Sequence, residues 1–260
     1  MGDTSTIEWT DATWNPWRGC TKVSPGCAHC YMFREQRRYG RDPTIVTRCS
    51  PATFNAPLRW REGRMVFTCS WSDWFHEDAD EWRDEAWAIV QATPWHTYQI
   101  LTKRPERILE HLPASWDENG WSNVWLGVSI ENRRYINRAD VLREVPAAVR
   151  FISAEPLLGP LLYDCDCGEV YFPHWRGDDM HEDLPQLNLD GIDWLIAGGE
   201  SGPHSRPMRP DWATALRDQC NAQRVAFFFK QWGGARAGGA APLDGREWHE
   251  YPTSNPQVKR

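Results

Sequence analysis

The chain has 260 residues, 41% of them hydrophobic and 25% charged, with a formal net charge of −7 at pH 7. That length suits one barrel-sized domain, and no apolar run approaches the roughly 18 residues that a membrane span needs. The acidic balance excludes nucleic-acid binding through bulk electrostatics, which takes a basic face.

The first segment, MGDTSTIEWTD, has neither a basic region nor an apolar one behind it, so no secretory signal is expected. Eight cysteines in such a chain point to a reducing compartment, and a cytoplasmic protein is expected. A first strand is predicted within TIEWT, residues 6–10. The loop behind it, GCTKVSPGCAHCYMF (residues 19–33), gathers Cys20, Cys27 and Cys30 around Pro25-Gly26. Cys49, Cys69 and Cys220 are scattered and read as small buried apolar residues. FREQRRYGR follows, with Arg34, Arg37, Arg38 and Arg41. A solvated helix face accounts for these arginines, and phosphate contacts beside a site are the functional alternative.

From there one plan repeats: a short β-rich run, a polar cluster, a helical stretch. MVFTCSWSDWF (65–75) begins as a strand and ends in Ser70, Ser72 and Asp73. The following helix has Trp82, Ala86, Ile89 and Val90 on one face. HTYQILTKRPERILEHL gives a strand to Leu101, the cluster Thr102, Lys103 and Arg104, and a helix opened by Pro105. NVWLGVSIENRRYINRADVLREV gives a strand that leads to Ser129 and Glu131, then a helix with Tyr135, Ala139 and Leu142 on its stripe. AVRFISAEPLLG leads to Ser153 and Glu155. IDWLIAGGESG leads to Gly198, Gly199 and Glu200. RPDWATALRDQC is a helix, and VAFFFKQWG a last strand that leads to Lys230 and Gln231.

Seven strands alternating with helices imply an α/β fold built on a parallel sheet, here a full or partial βα-barrel of the TIM-like kind. No strand is followed by G-x-G-x-x-G, which argues against a dinucleotide-binding sheet. The barrel is expected over residues 1–233, with the three-cysteine loop at 19–31 and an irregular insertion at about 160–190. That insertion holds Cys165 and Cys167, with His174 and His181 downstream, a weak pattern for a second metal. Residues 234–260 form a tail with a short hairpin about Asp244-Gly245.

In a βα-barrel the active site lies at the C-terminal ends of the strands. After the first strand every end here carries a charge: Asp73, Lys103, Glu131, Glu155, Glu200 and Lys230. The cysteine loop follows the first strand, so it opens onto the same mouth. Three uses of its thiols compete. Zinc would need His29 or a distant residue as fourth ligand. Inert packing fits poorly in a polar loop bounded by Gly and Pro. A 4Fe-4S cluster held by three thiolates would leave one iron open for a ligand.

The stretches IEWTDATWNP, GCTKVSPGCAHCY, SDWFHED, LTKRPER, VWLGVSIEN, SAEPLLGP, GGESG, RPMRPDW and FFFKQWG closely resemble a phage- and prophage-encoded protein family, named by phage gene numbers and as a domain of unknown function. That family looks like a divergent relative of radical S-adenosylmethionine enzymes. The resemblance implies that Cys20, Cys27 and Cys30 hold a 4Fe-4S cluster. Its open iron would bind S-adenosylmethionine, which is cleaved on reduction to a 5′-deoxyadenosyl radical. The first cysteine gap is six residues where three are usual, and the Gly-Gly-Glu element (198–200) falls late in the chain. Tyr31, Ser70, Asp73, Ser129 and Glu131 are then expected to contact the cofactor, and Lys103, Glu155, Glu200 and Lys230 to serve catalysis. The family also implies a three-Cys-motif partner protein, and nucleic acid is an expected substrate. A zinc-bearing interaction module without catalysis is the alternative reading.

Overall fold

The computed structural model describes residues 4–162, 186–235 and 242–253. Seven strands form one sheet in the order β1-β4-β5-β6-β7-β8-β9, every neighbouring pair parallel. They are β1 (Ala12–Trp14), β4 (Met65–Thr68), β5 (Thr97–Thr102), β6 (Val124–Ser129), β7 (Val149–Ala154), β8 (Trp194–Gly198) and β9 (Ala226–Gln231). The sheet curls into a half-barrel with helices around it. Two short strands, β2 (Trp17–Arg18) and β3 (Thr47–Arg48), pair antiparallel and brace the chain on either side of the cysteine loop. The helices are α1 (Tyr31–Arg38), α2 (Pro51–Phe54), α3 (Asp80–Ala92), α4 (Asn137–Arg143) and α5 (Pro210–Gln223).

Alternation along the strands separates two cores. Leu126, Ile152, Leu195 and Phe227 face outward, packed with Ala86 of α3, Ala139 of α4 and Leu216 of α5. Trp125, Phe151, Trp194 and Phe228 face into the bore and meet Trp9 and Phe67 there. Both faces are thus buried, which is why these strands read as nearly continuous apolar runs. Many of the chain's 17 tryptophans lie in these two cores. In the outer one, Trp74 packs on Trp14, Trp17 and Trp87 with ring centroids 4.9–5.7 Å apart.

Three expectations are corrected. The first strand lies at Ala12–Trp14, not within residues 6–10. Thr10 and Asp11 bond to Met65 and Phe67 through side chains as well as backbone. The turn before them swings Trp9 across the floor of the bore, its ring 4.7 Å from Phe67. PERILEHL forms two 3-10 turns, Pro105–Arg107 and Leu109–His111, in place of a helix. Pro113 holds Leu112 extended, which ends the segment after these two turns. The helix after Asn132 likewise opens as a 3-10 turn, Arg133–Tyr135, before α4.

Most of the expected insertion lies outside the described residues, including Cys165, Cys167, His174 and His181. Its two ends meet where the Leu187 amide donates to the Leu161 carbonyl at 3.0 Å, both residues buried. The hairpin forms about Asp244-Gly245, both at positive φ. The chain behind it runs antiparallel to β9. Phe229 N–H donates to Trp248 O, and Glu250 N–H to Phe227 O. This segment covers an edge that an open sheet would otherwise leave unpaired. Among the described residues no helix is long and apolar enough to cross a membrane.

Candidate active site

The cysteine loop lies across the C-terminal ends of the strands. Gly19 opens it at φ +95°, and a side chain there would strike Ile45 O at 2.2 Å. Pro25–Cys27 form one 3-10 turn, and Cys30 leads into α1. A Cβ on Gly26 would lie 2.4 Å from the Glu131 carboxylate, so this turn rests directly on the end of β6.

With no ladder of its own, the loop is held mainly by side chains. Buried Asp73 accepts from Thr102 Oγ1 at 2.6 Å, from the Lys103 and Phe75 amides at 3.0 Å, and from Arg104 Nη1 at 3.2 Å. Arg104 in turn donates to Thr21 Oγ1 at 2.6 Å, and its Nη1 lies 3.8 Å from Cys20 Sγ. Glu131 is fully buried. It accepts from Ser24 Oγ at 2.6 Å and from Arg138 Nη1 at 3.1 Å, with Lys103 Nζ at 3.5 Å. Glu200 accepts from the amide and Nε of Arg206, both at 2.9 Å, and lies 3.0 Å from His29 Nδ1. Arg206 also donates to Pro25 O at 3.0 Å. Burial pushes the Glu200 carboxyl up, but these bonds outweigh it and hold the group at about 2, against 4.5 normally.

The remaining expected residues stand apart from these three staples. Tyr31 donates to the Ser70 carbonyl at 2.6 Å, while the Ser70 hydroxyl accepts from Asn15. Ser129, Ser153 and Glu155 continue the bore-facing rows of β6 and β7. Lys230 sits at a register shift where Ala197 pairs with Phe229 and Gly198 with Gln231. A bulge of this kind re-aims a side chain, and Lys230 Nζ meets Glu155 Oε1 at 3.0 Å. On the other flank of the loop, Val23, Lys103, Arg107, Arg134, Tyr135 and Arg138 line a cavity of about 480 Å³. Sequence reasoning missed Arg206, Arg138, Ser24 and His29 as the partners that engage the strand-end carboxylates. Arg104 was visible only as a neighbour of Lys103.

Burial pushes the Cys20 thiol up to about 12, with Asp73 adding to the shift and Arg104 opposing it. Burial also raises Cys30, against the Met32 amide and Lys103, which favour its thiolate. Among the described residues no group of three or more His, Cys, Asp or Glu could hold a metal ion as placed. One zinc ion would draw its sulfurs to about 3.8 Å of each other, given tetrahedral geometry. A four-iron cluster takes each thiolate on a separate iron, further apart. His29, the nearby candidate for a fourth zinc ligand, is engaged by Glu200.

Fold and site together define a parallel α/β half-barrel with three cysteines looped over its C-terminal mouth. The family described as protein of unknown function DUF5131 matches residues 4–252, and the chain belongs to that family. No curated protein and no solved structure matches the chain.

Proposed function

We propose that this chain is a radical S-adenosylmethionine-type enzyme in which Cys20, Cys27 and Cys30 hold a 4Fe-4S cluster. One observation carries the reading. The three thiols share a single loop over the mouth of a parallel half-barrel, while the other described cysteines, Cys49, Cys69 and Cys220, are buried outside that loop. Bound there, the cluster would supply the electron that cleaves S-adenosylmethionine to a carbon radical.

The chain's own residues do the rest. Asp73, Glu131 and Glu200, through Arg104, Ser24, His29 and Arg206, fix the loop that carries the three thiols. Lys103, set near Cys30, stabilises negative charge on that thiolate. Glu155 and Lys230 face each other across β7 and β9 with Ser129 and Ser153 beside them, a pair able to bind amine, hydroxyl and carboxylate groups. Below them Trp9, Phe67, Trp125, Phe151 and Trp194 close the floor of the bore, which keeps water from reaching a reactive species from beneath.

The test is oxygen-free reconstitution with iron and sulfide, followed by electron paramagnetic resonance with and without S-adenosylmethionine. The expected result is a reduced-cluster signal that shifts on adding S-adenosylmethionine, with release of 5′-deoxyadenosine. Serine at Cys20, Cys27 or Cys30 should abolish it, and serine at Cys49 should not. Stoichiometric zinc that resists replacement, or cofactor cleavage that survives loss of all three thiols, would sink the reading.

A further inference from the structure

We propose that α1 and the aromatic ledge beside it form a docking face for single-stranded nucleic acid. As a binding face it stands on the observations below; as the route of a substrate to the mouth it rests on the function proposed above.

α1 turns Met32, Phe33 and Gln36 into the protein. Arg34, Arg37 and Arg38 fall on its opposite side, and Arg41 continues their spacing of three and four residues just past the helix. All four are exposed. Arg34 contacts its neighbour Glu35 at 3.5 Å, and Asp42, bonded to Thr44, lies near Arg37. Arg37 and Arg38 have no ion pair within 4.0 Å among the described residues. Lys22, over the Phe33 ring at 5.1 Å, donates to the Ala28 carbonyl at 3.0 Å and is not part of this stripe. In a chain of net charge −7 this stripe is a local reversal of sign. The helix dipole accounts for a cation or two in the last turn, not for a run that begins at Arg34 and continues beyond the helix.

Aromatic faces line the same side. Tyr39 is 59% exposed and Tyr31 40% exposed. Tyr39 lies 6.4 Å from the half-exposed Trp71, and the Arg41 guanidinium is 5.9 Å from the Tyr39 ring. Tyr31 is tied to Ser70, the residue before Trp71, and the Trp71 carbonyl accepts from the Gly19 amide at 3.0 Å. The ledge is thereby fastened to the start of the cysteine loop. Cations in a row beside exposed rings are what a single strand uses: phosphates along the arginines, bases stacked on aromatic faces. A duplex keeps its bases inside the stack and cannot use the rings. A lipid surface would need an apolar helix face, and here that face is buried inward.

The probe is a fluorescent oligothymidylate of about 12 nucleotides, a length within known single-strand site sizes. Binding is read by anisotropy on both metal-free and reconstituted protein. Three or four phosphate contacts predict that affinity falls roughly 15- to 60-fold between about 50 and 200 mM salt. R37E combined with R38E should cost at least about tenfold, and Tyr39→Ala about 5- to 100-fold, with melting temperature unchanged for these exposed positions. Absence of binding at low salt overturns the proposal. So does binding that ignores both variants, equal affinity for a duplex of the same length, or equal competition by polyglutamate. Binding to metal-free protein separates this face from the cluster, whose failure would show only in the spectra.

Discussion

Glu200→Gln tests whether strand-end carboxylates hold the cysteine loop. The Glu200 side chain is 5% exposed and sits at about 2 in the fold, against 4.5 when free. That difference is worth about 3.5 kcal/mol at most, at about 1.4 kcal/mol per unit. Because the folded group is depressed, the stabilisation is fully present above about 4.5 and is lost as pH falls towards 2. Glutamine keeps an acceptor for Arg206 but no charge, so the variant should lose about 2–3 kcal/mol at pH 7. Urea unfolding of both proteins from pH 7 down to pH 3 measures the gap, which should narrow below about 4.5 as the carboxylate of the unfolded wild-type chain takes up its proton. Amide exchange across residues 19–30 should rise in the variant, since His29 and Arg206 lose their common partner. A gap below about 0.5 kcal/mol, or one that does not change with pH, would refute the staple.

Cluster incorporation should become more favourable as pH rises, because the Cys20 thiol, held near 12 by burial, must lose its proton to ligate. Protons released during anaerobic loading measure this directly, and a flat pH profile would contradict it. Lys230→Met should change stability by no more than about 1 kcal/mol, since its partner Glu155 keeps some contact with solvent. The same variant should keep the cluster signal and lose most turnover, read as 5′-deoxyadenosine released against cluster content. Trp248→Ala should cost about 3 kcal/mol. Trp248 packs 6.0 Å from Phe227 under the guanidiniums of Arg217 and Arg246, and its carbonyl caps the edge of β9. Thermal melting with light scattering should show earlier unfolding and more aggregation.

Strands β4 to β9 were legible because each is buried on both faces, so its apolar run stands out between polar clusters. β1 was not legible, because Thr10 and Asp11 replace part of its ladder with side-chain bonds that no pattern announces. The helix expected after Pro105 read well by composition, yet Pro113 ends the segment after two 3-10 turns. The charged strand ends were equally visible. Their division of labour was not, because it depends on partners brought in from other loops: Arg104 on Thr21, Ser24 on Glu131, Arg206 on Glu200. A sequence shows that a carboxylate stands at a strand end, and only the fold shows whether its lone pairs are already taken.

That division has a spatial logic. The loop carrying the thiols has no strand or long helix to fix it, so its position depends on whatever the sheet offers beyond the ends of β4, β6 and β8. Asp73, Glu131 and Glu200 fill this role and are buried in doing so. The loop packs directly on one of them, as the collision of a Gly26 Cβ with Glu131 shows. The pair at β7 and β9 differs. Glu155 and Lys230 keep partial exposure, and a side chain on Gly198 would come within 2.6 Å of Glu155 Oε1. A bare backbone there lets the Glu155 carboxylate lie against the end of β8, its main partner a lysine on a bulge. Holding the thiols requires saturated, buried charge, and handling a substrate requires charge that can exchange partners. The two kinds alternate around one mouth, Glu200 at the end of β8 standing between Glu155 after β7 and Lys230 on β9, so under the function proposed above a substrate would be handled by the Glu155–Lys230 pair within reach of the loop that Glu200 holds.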